Sequence, residues 1–225
     1  MKTIYLIKHS GPFVDIKNYE DYENVLWEDY NRNMILSVEG EEKAESLCNI
    51  AELNNIDRIF TSNSVRAIAT AKYIAKKNNI KIELDKRIDE RIFGVKFLSD
   101  LPKNYNKLSF DNKDFKIEGG ESFNEVDSRF TDFIDNLLDQ DSNKNVLVIH
   151  GLILLSYLET ICHFSFDGTV FDIKFKNKVI INGNPKSPSI YKITYDESKK
   201  VIDIDNIKEI IWKKTILIII YIKQK

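Results

Sequence analysis

The chain has 225 residues, 43% hydrophobic and 30% charged, with a formal net charge of -2. That length fits one large domain, or a domain plus an insert, with a substantial core. The charge is nearly balanced and the Lys and Arg residues are scattered, which excludes the basic footprint of a nucleic-acid binder.

Cys48 and Cys162 are too few for a disulfide scaffold and lack metal-ligand spacing, so they read as buried, reduced thiols of a cytosolic protein. The N-terminal apolar run is too short for a signal-peptide core. Thr215–Ile222 is the one membrane-like stretch, and its eight residues fall well short of the ~20 a spanning helix needs. The expectation is a cytoplasmic protein without a membrane span.

In chain order, Ile4–Ile7 is a β-friendly run that ends in Lys8, His9 and Ser10 and reads as a buried strand with polar groups at its C-terminal tip. In open α/β sheets ligands bind at that edge. A Gly11-Pro12 break follows, then an acidic, aromatic loop with a short helix over residues 19–33, placed to overhang the strand tip. Ser37 precedes a helix over 39–54 with Ala44, Leu47, Cys48 and Ala51 as its apolar face. Ile59–Thr61 is a second strand, and Ser64 caps a helix through Lys77. Residues 80–84 alternate as a third strand. Residues 91–120 are aromatic and rich in Asn and Lys, an insert or lid rather than sheet.

Ser122–Leu138 is an amphipathic helix, and Val146–Ile149 is the strongest buried strand, ending in His150-Gly151. A helix over 152–162 follows, with His163 as its C-terminal residue. Strand candidates lie at 170–175, 178–181, 190–195 and 201–204, with a turn at Asn182-Gly183. Strands alternating with helices give a three-layer α/β/α sandwich around a mostly parallel central sheet.

Two of the three histidines, His9 and His150, directly follow strong apolar strands. If those strands are parallel neighbours, both imidazoles emerge at one sheet edge. Thr61–Ala67 leads small hydroxyl residues into a helix start, a setting that favours an anion. Arg66 in that first turn opposes the helix dipole, a mild misplacement that a bound anion would offset.

These residues carry a resemblance. Leu6-Ile7-Lys8-His9-Ser10, Thr61-Ser62-Asn63-Ser64-Val65-Arg66-Ala67 with Thr70-Ala71, Glu90 before Gly94, Gly120-Glu121-Ser122 and Val148-Ile149-His150-Gly151 occur in the order found in the histidine phosphatase superfamily, the phosphoglycerate mutase-like family. The match runs from Met1 to Leu158 and places a phosphatase-like domain over 1–206, with the apolar extension 207–225 beyond it. It implies a phosphoglycerate mutase-like fold and a phosphomonoester hydrolase of the metal-independent, histidine acid type. His9 forms a phosphohistidine, Glu90 is the general acid, and His150 is the third catalytic residue. Lys8, Ser10, Arg66 and Ser62 hold the substrate phosphate. No metal or other cofactor is implied. The expected partner is a small-molecule phosphomonoester rather than nucleic acid, and a homodimer is admitted.

The physics agrees. A neutral imidazole is a competent nucleophile near pH 7, and a covalent intermediate splits one difficult displacement into two. The transferring phosphoryl needs positioning and cationic donors more than covalent chemistry.

The chain also departs from the pattern. The family's Arg-His-Gly triplet is here Lys8-His9-Ser10. Lysine lacks the planar fork that grips two phosphate oxygens, and Ser10 puts a β-carbon where glycine lets phosphate approach the backbone. The usual Glu or Gln and the nearby Asn of the first motif are missing from the loop after Ser10. Two alternatives therefore stand beside the hydrolase: a catalytically degenerate phosphate-binding or regulatory module, and a mutase-type phosphotransferase. The short, mixed-charge 91–118 region favours a phosphatase over a mutase. The tail 207–225 is an added edge strand, an interface or membrane-surface contact, or a poorly ordered extension.

Overall fold

The computed structural model describes residues 1–14 and 25–207. The expectations for residues 19–24 and for the tail from Lys208 onward lie outside the described residues.

Six strands form the central sheet: β1 (Lys2–Lys8), β2 (Arg58–Thr61), β3 (Ile82–Leu84), β4 (Lys144–Ile149), β8 (Ser189–Tyr195) and β9 (Val201–Asn206), in the order β3-β2-β4-β1-β8-β9. The pairings from β3 to β1 are parallel, while β8 and β9 add an antiparallel edge. Burial on both faces explains the unbroken apolar runs of β1 and β4. Ile4 and Leu6 pack with α5 (Phe123–Asp139) and α6 (Gly151–Ile161). Tyr5 and Ile7 point the other way, onto α3 (Val65–Asn78) and the turns that follow α2 (Val38–Ser46). The result is a three-layer α/β/α sandwich.

α5 is the most legible element. Val126, Phe130, Phe133, Ile134 and Leu137 form one buried stripe, and each such side chain contributes ~1.5–3 kcal/mol on burial. Ser122 starts the helix with a capping box to Glu125. The motif glycines ahead of it meet across the chain. Gly94 has φ +76°, and a β-carbon there would lie 2.4 Å from the Gly120 nitrogen, so only glycine fits.

Several expectations need correction. The helix expected over 39–54 ends at Ser46 and continues as two 3₁₀ turns, Leu47–Asn49 and Ala51–Leu53. The buried apolar side chains are Ala44, Leu47, Ile50 and Leu53, a spacing of three that suits 3₁₀ geometry, while Ala51 is exposed. Only Ile82–Leu84 of the 80–84 run joins the sheet, because the Ile80 N–H closes the C-terminus of α3 on the Ala75 carbonyl.

His163 begins a strand rather than ending a helix. β5 (His163–Phe166), β6 (Phe171–Phe175) and β7 (Lys178–Gly183) form a separate antiparallel sheet. Asn182 and Gly183 pair within that sheet, and the chain turns instead at Lys176, where φ is 54°. Cys48 and Cys162 are free thiols, but both are partly exposed. Short helices α1 (Trp27–Asn33) and α4 (Tyr105–Asp111) complete the described chain, and 91–120 contributes no strand. No helix among the described residues is long and apolar enough to cross a membrane.

Candidate active site

β1 and β4 are adjacent and in register, Lys8 opposite Ile149, so His9 and His150 leave the sheet side by side. Their ring centroids lie 5.1 Å apart. The His9 N–H bonds the Ile149 carbonyl at 2.9 Å, extending the ladder one residue beyond the strands. The third contributor is the loop after β2, which brings Ser62, Ser64 and Arg66 to the same edge.

Arg66 is the hub. Its Nε donates to His9 Nε2 at 3.0 Å, and its Nη2 donates to His150 Nδ1, also at 3.0 Å. Both terminal nitrogens also meet α1: Nη2 donates to Asn31 Oδ1 at 2.8 Å, and Nη1 donates to the Asn31 carbonyl. Arg66 is only 3% exposed.

These contacts assign the tautomers, since guanidinium only donates and a carbonyl only accepts. His9 Nδ1 lies 2.8 Å from the Ser10 carbonyl and must carry the proton. Nε2 therefore keeps its lone pair and accepts from Arg66. His150 is the reverse. Its Nδ1 accepts from Arg66, so Nε2 carries the proton, 2.7 Å from Ser62 Oγ and 3.1 Å from Ser64 Oγ.

Both rings are held neutral. Burial, reinforced by the facing charges of Arg66 and Lys8, pushes His9 down to about 3, against a smaller upward pull from the Ser10 carbonyl. Burial and then Arg66 hold His150 well below the ordinary histidine value.

Glu90 lies just beyond, its Oε2 3.9 Å from His150 Nδ1 and its side chain 15% exposed. Burial raises its pKa, opposed by the Arg91 N–H, Arg66, Arg129 and the Leu152 N–H. The neighbouring carboxylate, Asp89, turns away and accepts the Asn63 N–H at 2.9 Å. Arg129 fixes this corner by an ion pair to Glu121 at 2.7 Å and a bond to the Arg87 carbonyl. A pocket of about 230 Å³ opens here, with Asn31, Ser64, Glu90 and Arg129 in its wall.

The two variant positions are engaged elsewhere. Lys8 extends over Gly151 and its Nζ donates to the Pro185 carbonyl at 2.9 Å; burial lowers its pKa. Ser10 is fully buried and its Oγ donates to the Gly40 carbonyl at 2.6 Å, so its hydroxyl turns into the α2 turn rather than toward the histidines. Its backbone N–H bonds Thr70 Oγ1, which in turn donates to the Arg66 carbonyl. Ser10 thus braces the hub from behind.

Sequence reasoning placed His9, His150, Arg66, Glu90 and Ser62 in one constellation, and they are within reach of one another. It missed Asn31, which approaches from α1 well downstream of Ser10. It also read Ser64 as a helix cap, whereas no hydrogen bond from the helix start reaches the Ser64 side chain, which faces His150. Arg129 carried no signal beyond its place on α5. Among the described residues, no group of three or more His, Cys, Asp or Glu side chains is placed to hold a metal ion.

A parallel sheet with a switch to antiparallel strands beside β1, and two neutral imidazoles bridged by arginine at that edge, define a phosphoglycerate mutase-like α/β protein. The sequence matches the family described as "Histidine phosphatase superfamily (branch 1)" over residues 27–181, more than half of the chain. The chain belongs to that superfamily. The matched span begins beyond Lys8-His9-Ser10, the triplet where the chain departs from the family pattern.

Solved structures agree on the fold. A mycobacterial glucosyl-3-phosphoglycerate phosphatase complexed with VO3 superposes with a TM-score of 0.66 at 15% identity, covering 92% of this chain and 98% of its own. Bacillus stearothermophilus YhfR gives 0.63 at 19% identity, with 90% and 95% covered. A putative alpha-ribazole-5'-P phosphatase from Escherichia coli gives 0.62 at 16%, with 92% and 95% covered. No curated protein matches the sequence.

Proposed function

We propose that the protein is a phosphomonoester hydrolase working through a phosphohistidine on His9. The observation that carries this reading is the fixed His9 tautomer: Nδ1–H is spent on the Ser10 carbonyl, leaving the Nε2 lone pair beside the Arg66 guanidinium. A phosphoryl group entering there takes over Arg66 from Asn31, whose two oxygens occupy the nitrogens a phosphate would use. Nε2 attacks phosphorus, and the phosphorus–oxygen bond of the ester breaks. Glu90, whose pKa burial raises, gives its proton to the departing alkoxide. Arg66, the His150 N–H with Ser62, and the Lys8 ammonium offset charge on the phosphoryl oxygens. Water, deprotonated by Glu90, then attacks the phosphohistidine, restoring both groups and releasing phosphate. Ser10 supports the pocket through Gly40 and Thr70.

The degenerate-module reading draws on the same engaged donors, since Lys8, Ser10 and Arg66 all hold protein partners. The experiment that separates the two is release of p-nitrophenolate from p-nitrophenyl phosphate at mildly acidic pH, with and without EDTA. The hydrolase reading expects turnover that EDTA leaves unchanged and that His9→Ala abolishes. Phosphate-dependent thermal stabilisation without turnover, equal in wild type and His9→Ala, would establish the module instead.

A further inference from the structure

A cleft of about 650 Å³ runs between the 91–111 segment and the β5–β6 hairpin, walled by Phe93, Tyr105, Phe110, Phe166 and Phe171. Two of its lining residues tie it to the candidate site. Leu152 follows Gly151, over which the Lys8 side chain lies. Asn184 precedes Pro185, whose carbonyl accepts from Lys8 Nζ. Phe93 adds a third link, because it follows closely on Glu90 in the chain. Through these chain neighbours the cleft's wall borders the residues that Lys8 meets and the segment that carries Glu90.

The walls specify what fits. Cavities of ~300–1,000 Å³ enclose ligands far larger than a three-carbon acid. Aromatic rings favour offset or edge contacts with a planar partner. Here the rings are already ordered among themselves: Phe93 stacks on Trp27 with an interplanar angle of 9°, and Phe166 on Phe171 with 15°. Tyr105 is 4% exposed, and its hydroxyl has no hydrogen-bond partner among the described residues. A buried hydroxyl costs stability until something pairs with it. The exposed amides of Asn104 and Asn106 stand at the rim and offer both donors and acceptors.

We infer that this cleft is the subsite for the substrate's alcohol and that it takes a planar nitrogen heterocycle of the nucleobase type. The ring stacks against the phenylalanine walls, and its nitrogens pair with the Tyr105 hydroxyl and the rim amides. The term alcohol subsite rests on the hydrolase reading; the preference for a ring is separable from it.

The test compares adenosine 5′-monophosphate with ribose 5-phosphate. Both carry the phosphate on the same primary alcohol, so the difference between them reads the ring alone. Binding is measured by calorimetry on full-length His9→Ala, which holds either ester without turnover. The expected result is at least tenfold tighter binding of the nucleotide. Tyr105→Phe, which keeps the ring in place, narrows that preference severalfold, and Leu101→Trp, which fills the cleft, removes it.

Equal affinities, no measurable binding of the nucleotide, or a preference that neither variant changes would overturn the inference. If the preference is found but wild type hydrolyses neither ester nor p-nitrophenyl phosphate, the cleft assignment stands and the hydrolase reading falls.

Discussion

β1 and β4 lie side by side, run parallel, bury apolar residues at successive positions and each end on a histidine, yet the two imidazoles carry their protons on opposite nitrogens. His9 gives Nδ1–H to the carbonyl of the next residue, so its outward nitrogen is a lone pair with one arginine N–H against it. His150 has both nitrogens engaged, by Arg66 on one side and by Ser62 and Ser64 on the other. Nearly identical strand ends therefore yield a candidate nucleophile and a candidate donor. The surroundings of each ring make the difference.

The largest test of that contrast is to remove each ring in turn. His9→Ala is expected to lower kcat/KM on a phosphomonoester by ~10⁴-fold or more, as losing a nucleophile does. His150→Ala, which removes one stabilising donor, is expected to cost ~10²–10³-fold. Equal losses would erase the distinction drawn between the two strand tips.

Next in size is the pH profile. His9 is depressed to about 3, so it is neutral above that value and activity falls only as pH drops through it. Glu90 is raised by burial, so it stays protonated above the usual carboxylate range, and the rate falls as pH rises through its pKa. Glu90→Gln is expected to remove that alkaline limb and to lower the rate on an alkyl phosphate by ~10²-fold or more. The loss should be smaller on p-nitrophenyl phosphate, whose phenolate leaves without a proton. An alkaline limb that survives the substitution would take the acid role from Glu90.

Ser62→Ala and Ser64→Ala sharpen the comparison at smaller scale, because each removes one partner of the His150 N–H. A severalfold fall in kcat is expected from either, and a larger one from the pair. The smallest kinetic effect belongs to Ser10→Gly. It restores the family residue but breaks the bond to Gly40, so stability should fall by about 1–2 kcal/mol with less than tenfold change in rate. Thermal unfolding beside steady-state kinetics checks it, and a large rate change at constant stability would give Ser10 a direct part in the chemistry.

How much could be read in advance follows from where each signal lives. β1, β4, α3 and α5 were legible because burial writes itself into unbroken or 3.6-spaced apolar runs. The histidines and Arg66 were legible because polar residues at the ends of such runs stand out. The 47–53 segment misled because Ala44, Leu47, Cys48 and Ala51 fall at helical spacing, whereas the chain buries Leu47, Ile50 and Leu53, three apart.

The separate β5–β7 sheet was hidden: the runs of β6 and β7 were visible, but β5 was read as the end of a helix, and the pairing of the three is a tertiary choice. Asn31 and Ser64 were missed for the same reason. One sits on an unremarkable short helix, and the other occupies a helix-cap position while its hydroxyl serves a histidine. The hydroxyl of Ser10 was placed with the phosphate, whereas Gly40, far along the chain, gives it a carbonyl instead.

The most direct measurement is to quench full-length protein in alkali, which spares phosphohistidine, during turnover of p-nitrophenyl phosphate, and to map the modified residue by mass spectrometry. The account expects a phosphoryl group on His9 in wild type and in His150→Ala, and none in His9→Ala. Phosphoryl on His150, or continued turnover with no phosphorylated histidine, would contradict it.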